Sequence, residues 1–220
     1  MAIAAALSLA VAAAPALAQG SLGVVAGFNA TSFTFDPPVS TVYAEAFGFD
    51  ASSSGVNGLA AGASFERPIG GRLRFRAEGL FSQAGTTIEG SGGVYGVEYS
   101  FKQTIKLSML EVPLMVAFPV DAGDRLRLMG GGFLAFNLSQ KDTLSETLDG
   151  ESQETELEGG SQAQIKNPHF GVAFGAEVNL TPTVGVGGRF NFGLTNLDDE
   201  DDFDAIRMRV VRIYVVIRLK

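Results

Sequence analysis

Apolar side chains recur at every second residue over most of this 220-residue chain, and this period restricts its fold more than any other feature. A period of two places alternate side chains on opposite faces of a β-strand. The same alternation runs through 170–180 and 184–195. In the stretch 72–81, charged side chains share one face and apolar side chains the other: Arg72, Arg74, Arg76 and Glu78 against Leu73, Phe75, Ala77 and Phe81. We therefore predict an all-β chain.

The connections between the alternating segments fall into two classes that also alternate. About eight segments are present, near 21–34, 55–67, 72–87, 95–119, 125–140, 165–180, 183–196 and 205–220. Long or acidic gaps at 35–54, 88–94, 141–164 and 197–204 take turns with tight turns at 68–71, 120–124 and 181–182. Outer-membrane barrels have short turns at one end and long loops at the other. We predict an eight-stranded antiparallel up-and-down transmembrane β-barrel.

Alternation alone also fits a soluble barrel with an apolar interior, as in lipocalins, so side-chain size has to decide which face is inside. The apolar face repeats Phe and Leu, whereas the polar face mixes Gly with Arg, Glu and Asn. About eight strands enclose room only for packed side chains. We place the bulky apolar face in lipid, where a closed ring satisfies every backbone hydrogen bond. A soluble ligand-carrying barrel stays as an alternative.

Charged side chains on the polar face would then lie in a narrow lumen, where an unpaired charge costs several kcal/mol. We expect them to form a structural network of ion pairs that plugs the barrel; a proton path or a narrow solute channel is the alternative. We refer to these nine residues as the lumen charge network: Glu66, Arg74, Arg76, Glu78, Glu111, Arg127, Glu177, Arg189 and Arg212.

Two segments change the parity of their polar residues partway along. In 95–119, Lys and Thr at even positions up to Ser108 give way to Leu and Val at the same parity from Leu110 onward. In the last segment, Arg207 and Arg209 have one parity and Arg212 the other. A β-bulge restores an interrupted face assignment. We therefore predict irregularities near Met109 and Val210.

The first eighteen residues, 1–18, form an uncharged apolar run that ends in Ala16-Leu17-Ala18, the small-x-small pattern of a signal-peptidase site. We expect cleavage after Ala18 and a single barrel domain over 19–220. The formal net charge of −8 argues against a nucleic-acid partner, which requires clustered positive charge. The absence of cysteine excludes disulfides, thiolate zinc sites and cysteine nucleophiles.

Few residues outside the strands suggest chemistry, and we expect no cofactor. His169 is the only histidine, so a membrane-embedded Ser-His-Asp hydrolase would depend on it; its place after Asn167-Pro168 favours a residue on the outer rim. The acidic run 198–204 is a weak Ca²⁺ candidate that lacks the EF-hand spacing, and a solvated loop is favoured. The carboxylates in question are Asp198, Asp199, Asp201, Asp202 and Asp204.

Four motifs, in order, resemble those of the PorT-like outer-membrane β-barrel family. The most distinctive is Leu110-Glu-Val-Pro-Leu-Met-Val-Ala-Phe118, which is similar to a core strand of that family; the others are 23–29, 170–178 and 189–196. The resemblance implies a small exported barrel in the outer membrane of a Gram-negative bacterium, inserted by the barrel assembly machinery. The chain departs from outer-membrane barrels at its end, Leu219-Lys220, where an aromatic residue is usual.

These observations predict a barrel in outer-membrane lipid without enzymatic activity, whose work is structural or is done by binding an extracellular ligand. The ligand would contact the loops 35–54 and 141–164. The first of these loops is unusually aromatic, and we favour its folding over the barrel mouth rather than adhesion; the residues are Phe33, Phe35, Tyr43, Phe47 and Phe49.

Overall fold

The structure is a computed structural model, and it describes residues 20–94, 96–157, 167–197 and 205–219. Ten strands and one α-helix make up the described chain, and long runs of alternating exposed and buried residues account for the strands. The helix α1 is Val39–Phe47, and it ends at Gly48, which adopts a left-handed conformation (φ 71°) that favours glycine. The strands are β1 Ser21–Asp36, β2 Asp50–Gly55, β3 Asn57–Gly70, β4 Leu73–Val94, β5 Val97–Pro119, β6 Leu126–Leu148, β7 Glu151–Leu157, β8 His169–Asn179, β9 Val184–Gly193 and β10 Ala205–Leu219.

Eight of the ten strands close into a ring in which every neighbour is antiparallel. The order around the ring is β1-β3-β4-β5-β6-β8-β9-β10, and β10 returns to β1 over the register from Leu22 opposite Leu219 to Asp36 opposite Ala205. The strands β2 and β7 lie outside the ring order and pair with the upper parts of β4 and β6. The fold is therefore the all-β antiparallel barrel that the alternation predicts.

The two ends of the barrel differ. Short turns join β3 to β4, β5 to β6 and β8 to β9 at one end, which we call the lower end. At the upper end, β4, β5 and β6 continue far beyond their neighbours: they have 22, 23 and 23 residues, whereas β8 and β9 have 11 and 10. A strand of 9–11 residues suffices to cross a bilayer. About half of β4, β5 and β6 therefore stands above the part that a membrane can cover.

The upper parts of these strands form a structure that we call the sheet extension. It consists of β2, β7 and residues 86–94, 97–105 and 142–148. The sequence prediction was wrong here, because 35–54, 88–94 and 141–164 were expected to be loops. Instead α1 and β2 occupy most of the first, β4 fills 88–94, and β6 and β7 fill 141–157. A strand with polar residues on both faces does not show the alternation of apolar and polar residues on which the prediction relied.

Large apolar side chains cover the outside of the ring in a continuous apolar band. In β10 the odd residues from Val211 onward are exposed and apolar, including Val211 at 49%, Ile213 at 64% and Ile217 at 50%, while the even residues up to Val216 are buried. Phe174 and Phe118 are exposed on other strands. Exposure of this kind is the reverse of a soluble barrel. Among the described residues, no helix is long and apolar enough to cross a membrane.

The two predicted bulges have a common explanation. In β10 the alternation and both pairings are unbroken, so the irregularity expected near Val210 is wrong. In β5 the parity is also unbroken; a register shift does occur at Ser108/Met109, but the extra residue is Leu138 of β6. Outward residues change from apolar to polar where the strands leave the apolar band. The sequence change marks that boundary and not a reversal of faces.

Candidate functional site

The upper part of the lumen is organised around the carboxylate of Glu111, which is 1% exposed. Arg212 reaches it from β10 with two donors, Nη1 to Oε1 at 3.1 Å and Nη2 to Oε2 at 2.7 Å. Asn191 donates to Oε1 at 2.8 Å. The remaining donors of Arg212 contact Asn29 Oδ1 at 2.7 Å and Ser82 Oγ at 2.9 Å. Three strands thus supply four hydrogen bonds to one buried guanidinium, and such partners make a buried charge tolerable.

The middle of the lumen contains alternating acids and bases. Arg189 donates to Glu78 at 2.7 Å, Glu78 accepts from Arg76 at 2.7 Å, and Arg76 donates to Glu177 at 2.6 Å. The guanidinium carbons of Arg76 and Arg189 lie 5.6 and 5.7 Å from the ring centroid of Tyr214. Cation–π contact adds to the ion pairs at this level. Arg189 also lies 3.6 Å from Glu111, which joins the middle to the upper part.

The lower end of the network opens toward the short turns. Arg127 contacts Glu66 at 2.9 Å and Asp124 at 2.5 Å, and Arg218 is paired with Glu177. Arg74 is less buried, with 36% of its side chain exposed, and lies 3.4 Å from both Glu66 and Asp124. The hydrogen bond from Arg127 is the main reason that the pKa of Asp124, in the turn, is lowered. All of these residues except Glu177 line an open cavity of about 670 Å³.

Glycines on the lumen face of β9 make room for these long side chains. A Cβ on Gly187 would lie 2.5 Å from the hydroxyl of Tyr214, and one on Gly185 would lie 3.0 Å from a carboxylate oxygen of Glu177. Both residues belong to the buried parity of β9. The mixture of Gly with Arg and Glu on the polar face is therefore a packing requirement of a narrow lumen.

A layer of apolar side chains lies in the same lumen and includes Leu80, Leu107, Met109, Phe133 and Met208, all of them buried. His169 is also buried, at 1% exposure, and neither ring nitrogen has a hydrogen-bond partner in the described part of the chain. The expectation of a rim position for His169 was wrong. It begins β8, but β4, β5 and β6 continue above it, so the start of β8 lies below the upper edge of the barrel.

Aromatic side chains pack above the lumen in a cluster that we call the cap. Val39 of α1, Ala51, Ile88 and Phe101 form its buried centre; packed against them are Phe35, Tyr43, Phe49, Tyr99 and Leu144. Tyr43 and Phe101 stack with centroids 5.0 Å apart. Phe47 was also expected to fold over the barrel mouth, but its side chain is 64% exposed and is not part of the cap. Burial, together with a 2.6 Å hydrogen bond to Glu146, raises the pKa of Tyr99 to about 12.

The sheet extension also carries a polar cleft. Two adjoining cavities of about 580 and 570 Å³ share Asp50, Ser91, Ser100 and Thr147. The other lining residues are glycines, the aromatic residues Phe101 and Tyr99, and hydroxyl and charged groups, among them Lys102, which pairs with Glu89 at 2.7 Å. The cleft spans β2, β4, β5 and β6, so it exists only because these strands continue above the apolar band.

The structure places eight of the nine residues of the lumen charge network in buried positions and Arg74 at the lower opening. The nine are brought together in one chain of contacts. Sequence reasoning missed six partners: Asn29, Ser82, Asn191, Asp124, Tyr214 and Arg218. The inward parity of Asn29, Ser82 and Asn191 was visible, but nothing in the sequence shows which neutral groups complete a hydrogen bond across the lumen.

Two predictions fall outside the described residues: the signal peptide at 1–18 and the Ca²⁺ candidates Asp198, Asp199, Asp201, Asp202 and Asp204. Within the described ranges, no group of three or more His, Asp or Glu side chains could hold a metal ion.

Comparison with known proteins agrees with this architecture. A family model described as the outer membrane protein beta-barrel domain matches residues 17–199. No curated protein matches the sequence. Among solved structures, Ail, the attachment invasion locus protein of Yersinia pestis, is 10% identical, with 91% of this chain and 99% of that chain covered and a TM-score of 0.41. Neisserial surface protein A is 12% identical over 91% and 99% of the two chains, with a TM-score of 0.38. OprG from Pseudomonas aeruginosa is 10% identical over 91% and 96%, with a TM-score of 0.38.

The family model covers well over half of the chain and includes every strand of the ring except β10. In such barrels the short turns face the periplasm and the longer segments face the exterior. The lower end is thus periplasmic, and the sheet extension and cap are extracellular. The chain belongs to the outer membrane protein beta-barrel domain family and is located in the bacterial outer membrane.

Proposed function

We propose that this protein is a closed barrel that anchors an extracellular binding surface in the outer membrane. The observation that carries the proposal is the length of β4, β5 and β6, which have 22, 23 and 23 residues. A barrel that served only to fill the membrane would not need a sheet that stands well above it. The polar cleft and the cap lie on this sheet, where an external ligand has access to them.

The contents of the lumen support a closed barrel over a solute channel. Guanidinium and carboxylate groups at 0–5% exposure cross the middle of the lumen, and an apolar layer with Leu107 and Met109 lies in the same space. Water and ions would have to displace groups that are already paired. Purified protein in planar bilayers should therefore show no single-channel conductance. Steady stepwise currents would contradict the closed barrel and favour a channel.

We also propose that the protein is not an enzyme. A hydrolytic triad needs its histidine within hydrogen-bond distance of a serine and an acid. Neither nitrogen of His169 has such a partner among the described residues. A His169→Gln variant should match the wild type in any lipid or peptide cleavage assay. A cleavage activity that disappears with His169 would contradict this reading.

Within the family, we propose a PorT-like relationship. It is supported by the motif 110–118, whose Glu111 accepts hydrogen bonds from Arg212 and Asn191 and lies 3.6 Å from Arg189 in the upper lumen. Glu111 of this motif is thus the side chain with the most polar contacts in the upper lumen. A variant in which Glu111 is replaced should lose the packing of the upper lumen but keep any extracellular activity.

The binding role can be tested at the polar cleft with a matched pair of variants. Cells that display the wild type are applied to an array of extracellular-matrix proteins and glycans, beside cells with Ser91→Arg/Thr147→Arg. The two arginines would fill the cleft. The control is Glu45→Arg on α1, which changes surface charge at the same end but outside the cleft. A ligand held by wild type and control but lost by the cleft variant is the expected result; retention by all three would refute a role for the cleft.

A further inference from the structure

The outward side chains just above the apolar band carry charges of one sign, although the chain has a formal net charge of −8. On β10 the first charged residues above Val211 are Arg209 and Arg207, both exposed. On β5 and β6 they are Lys106 and Lys141, which lie directly opposite each other. Like charges in this position repel. An anionic partner at this height would relieve the repulsion.

On the same pairs of strands, the outward-facing carboxylates lie one outward residue farther from the membrane than the cations do. Asp36 lies opposite Ala205, above Arg207, and Glu156 lies opposite Thr143, above Lys141. Glu156 forms an ion pair with Lys141 at 2.5 Å. The arginines differ, because neither Arg207 nor Arg209 forms an ion pair with a carboxylate in the part of the chain that the structure describes. Among the described residues at the edge of the band, Arg207 and Arg209 are thus two neighbouring cations of one strand that have no carboxylate partner.

The surroundings of the β10 pair suit a phosphate group. The two arginines are separated by one residue on one face of a strand, so their Cα atoms are about 7 Å apart. Directly opposite them on β1 are two exposed hydroxyl residues, Ser32 beside Arg209 and Thr34 beside Arg207. The guanidinium of Arg209 lies over the ring of Phe192 on β9, 5.5 Å from its centroid. The planar fork of arginine binds phosphate oxygens in pairs.

Apolar side chains continue directly below this group. Val211 and Ile213 are 49% and 64% exposed on the same face of β10. Positive groups and hydroxyls above an apolar surface are complementary to an amphiphile whose phosphate lies at the membrane edge and whose acyl chains lie below. A soluble phosphate compound would make no use of the lower half of this surface.

We propose that Arg207 and Arg209, with Ser32 and Thr34, form a binding site for the phosphate of an anionic lipid in the outer leaflet, with the acyl chains against Val211 and Ile213. This site is separate from the polar cleft of the proposed function, so either can fail alone. Its chemistry favours a glycolipid or phospholipid with a net negative charge over a zwitterionic lipid, because basic residues attract anionic headgroups.

The test uses the full protein in phosphatidylcholine nanodiscs that contain a bisphosphorylated glycolipid or its dephosphorylated form. Retained lipid is counted by native mass spectrometry. The wild type should retain the phosphorylated form preferentially. Arg207→Gln/Arg209→Gln should lose about fivefold in affinity for each arginine removed, and Arg207→Lys/Arg209→Lys should keep most of it. The control Lys102→Gln faces the same way on β5 but already has Glu89 as its partner, so its binding should be unchanged.

Three outcomes would overturn the proposal. Equal retention of the two lipid forms by the wild type would show that the phosphate is not recognised. Displacement of the lipid by inorganic phosphate at matched ionic strength would identify a site for free phosphate. A stability loss of Arg207→Gln/Arg209→Gln in pure phosphatidylcholine, without any change in glycolipid retention, would assign the arginines to a contact within the chain.

Discussion

Ion pairs of the same chemistry occur in two regions of this molecule, the lumen and the sheet extension, under opposite conditions. In the lumen, the side chains of Arg212 and Glu111 are 0% and 2% exposed at a separation of 2.7 Å. On the extension, Lys102 and Glu89 are 59% and 50% exposed at the same separation. The distance alone does not distinguish the two pairs. Water does: it screens the outer pair, whereas the inner pair must be satisfied by protein alone.

The difference explains why the two regions use different residues. Arginine, with its several donors, is the cation of the buried network, and each carboxylate there has at least one guanidinium partner. Lysine forms the exposed pairs of the extension. The rigidity of the extension comes from strand pairing and from the aromatic cap, not from its charges. The lumen thus combines a paired charge network with a buried apolar layer, whereas the extension is held by strand pairing and the aromatic cap.

The largest effect is expected when the lumen loses one charge. Glu111→Gln leaves Arg212 without its carboxylate partner in a buried site, whereas Arg189 keeps Glu78, and we expect a loss of about 3–5 kcal/mol in the free energy of unfolding. Urea unfolding in lipid vesicles and the mobility of unboiled samples on gels would measure it. A loss below 1 kcal/mol would remove the contrast between the two regions.

A smaller loss is expected when a lumen glycine gains a methyl group. Gly187→Ala would place a Cβ 2.5 Å from the hydroxyl of Tyr214, and the ring would have to move relative to Arg76 and Arg189, which contact it. Overpacking of this kind costs about 1–3 kcal/mol. The control is Gly188→Ala, the neighbouring position on the outward face, where nothing is nearer than 4.0 Å. Equal effects of the two changes on the unfolding midpoint would show that the lumen is loosely packed.

The exposed pair should contribute least to stability. Glu89→Gln removes the partner of Lys102, and we expect a change of less than about 1 kcal/mol that disappears at high salt. The same vesicle assay applies, at low and high ionic strength. A salt-independent loss as large as that of Glu111→Gln would mean that the extension is as dry as the lumen.

The smallest effect is the titration of the Tyr99 hydroxyl at high pH, which leaves the stability at neutral pH unchanged. Because the pKa of Tyr99 is raised to about 12, its contribution to stability is complete below the ordinary tyrosine pKa of about 10 and is lost as the pH rises through about 12. The difference in phenolate absorbance between wild type and Tyr99→Phe reports this titration. Glu146→Gln, which removes the charged acceptor, should move it to lower pH; a midpoint that stays unchanged would contradict the role of Glu146.

How far the sequence could be interpreted depended on which residues contact lipid. The eight ring segments were predicted close to their observed positions, because lipid demands a regular apolar face. The extension was missed, because residues such as Ser91 and Ser100 contact water and strand partners and show no such face. The position of His169 was wrong for a related reason, since parity gives the face of a residue and not its height in the barrel.

The sequence by itself determined that this chain forms a closed barrel with apolar side chains outside and charged ones inside, because a period of two and a lipid environment act on each strand separately. Only the tertiary structure decided that Arg76 contacts Glu177, 101 residues away, and that Arg212 contacts Asn29, 183 residues away. Those partners depend on the stagger between strands, which fixes the height of each side chain. No local pattern carries that quantity, because it is a property of the closed ring.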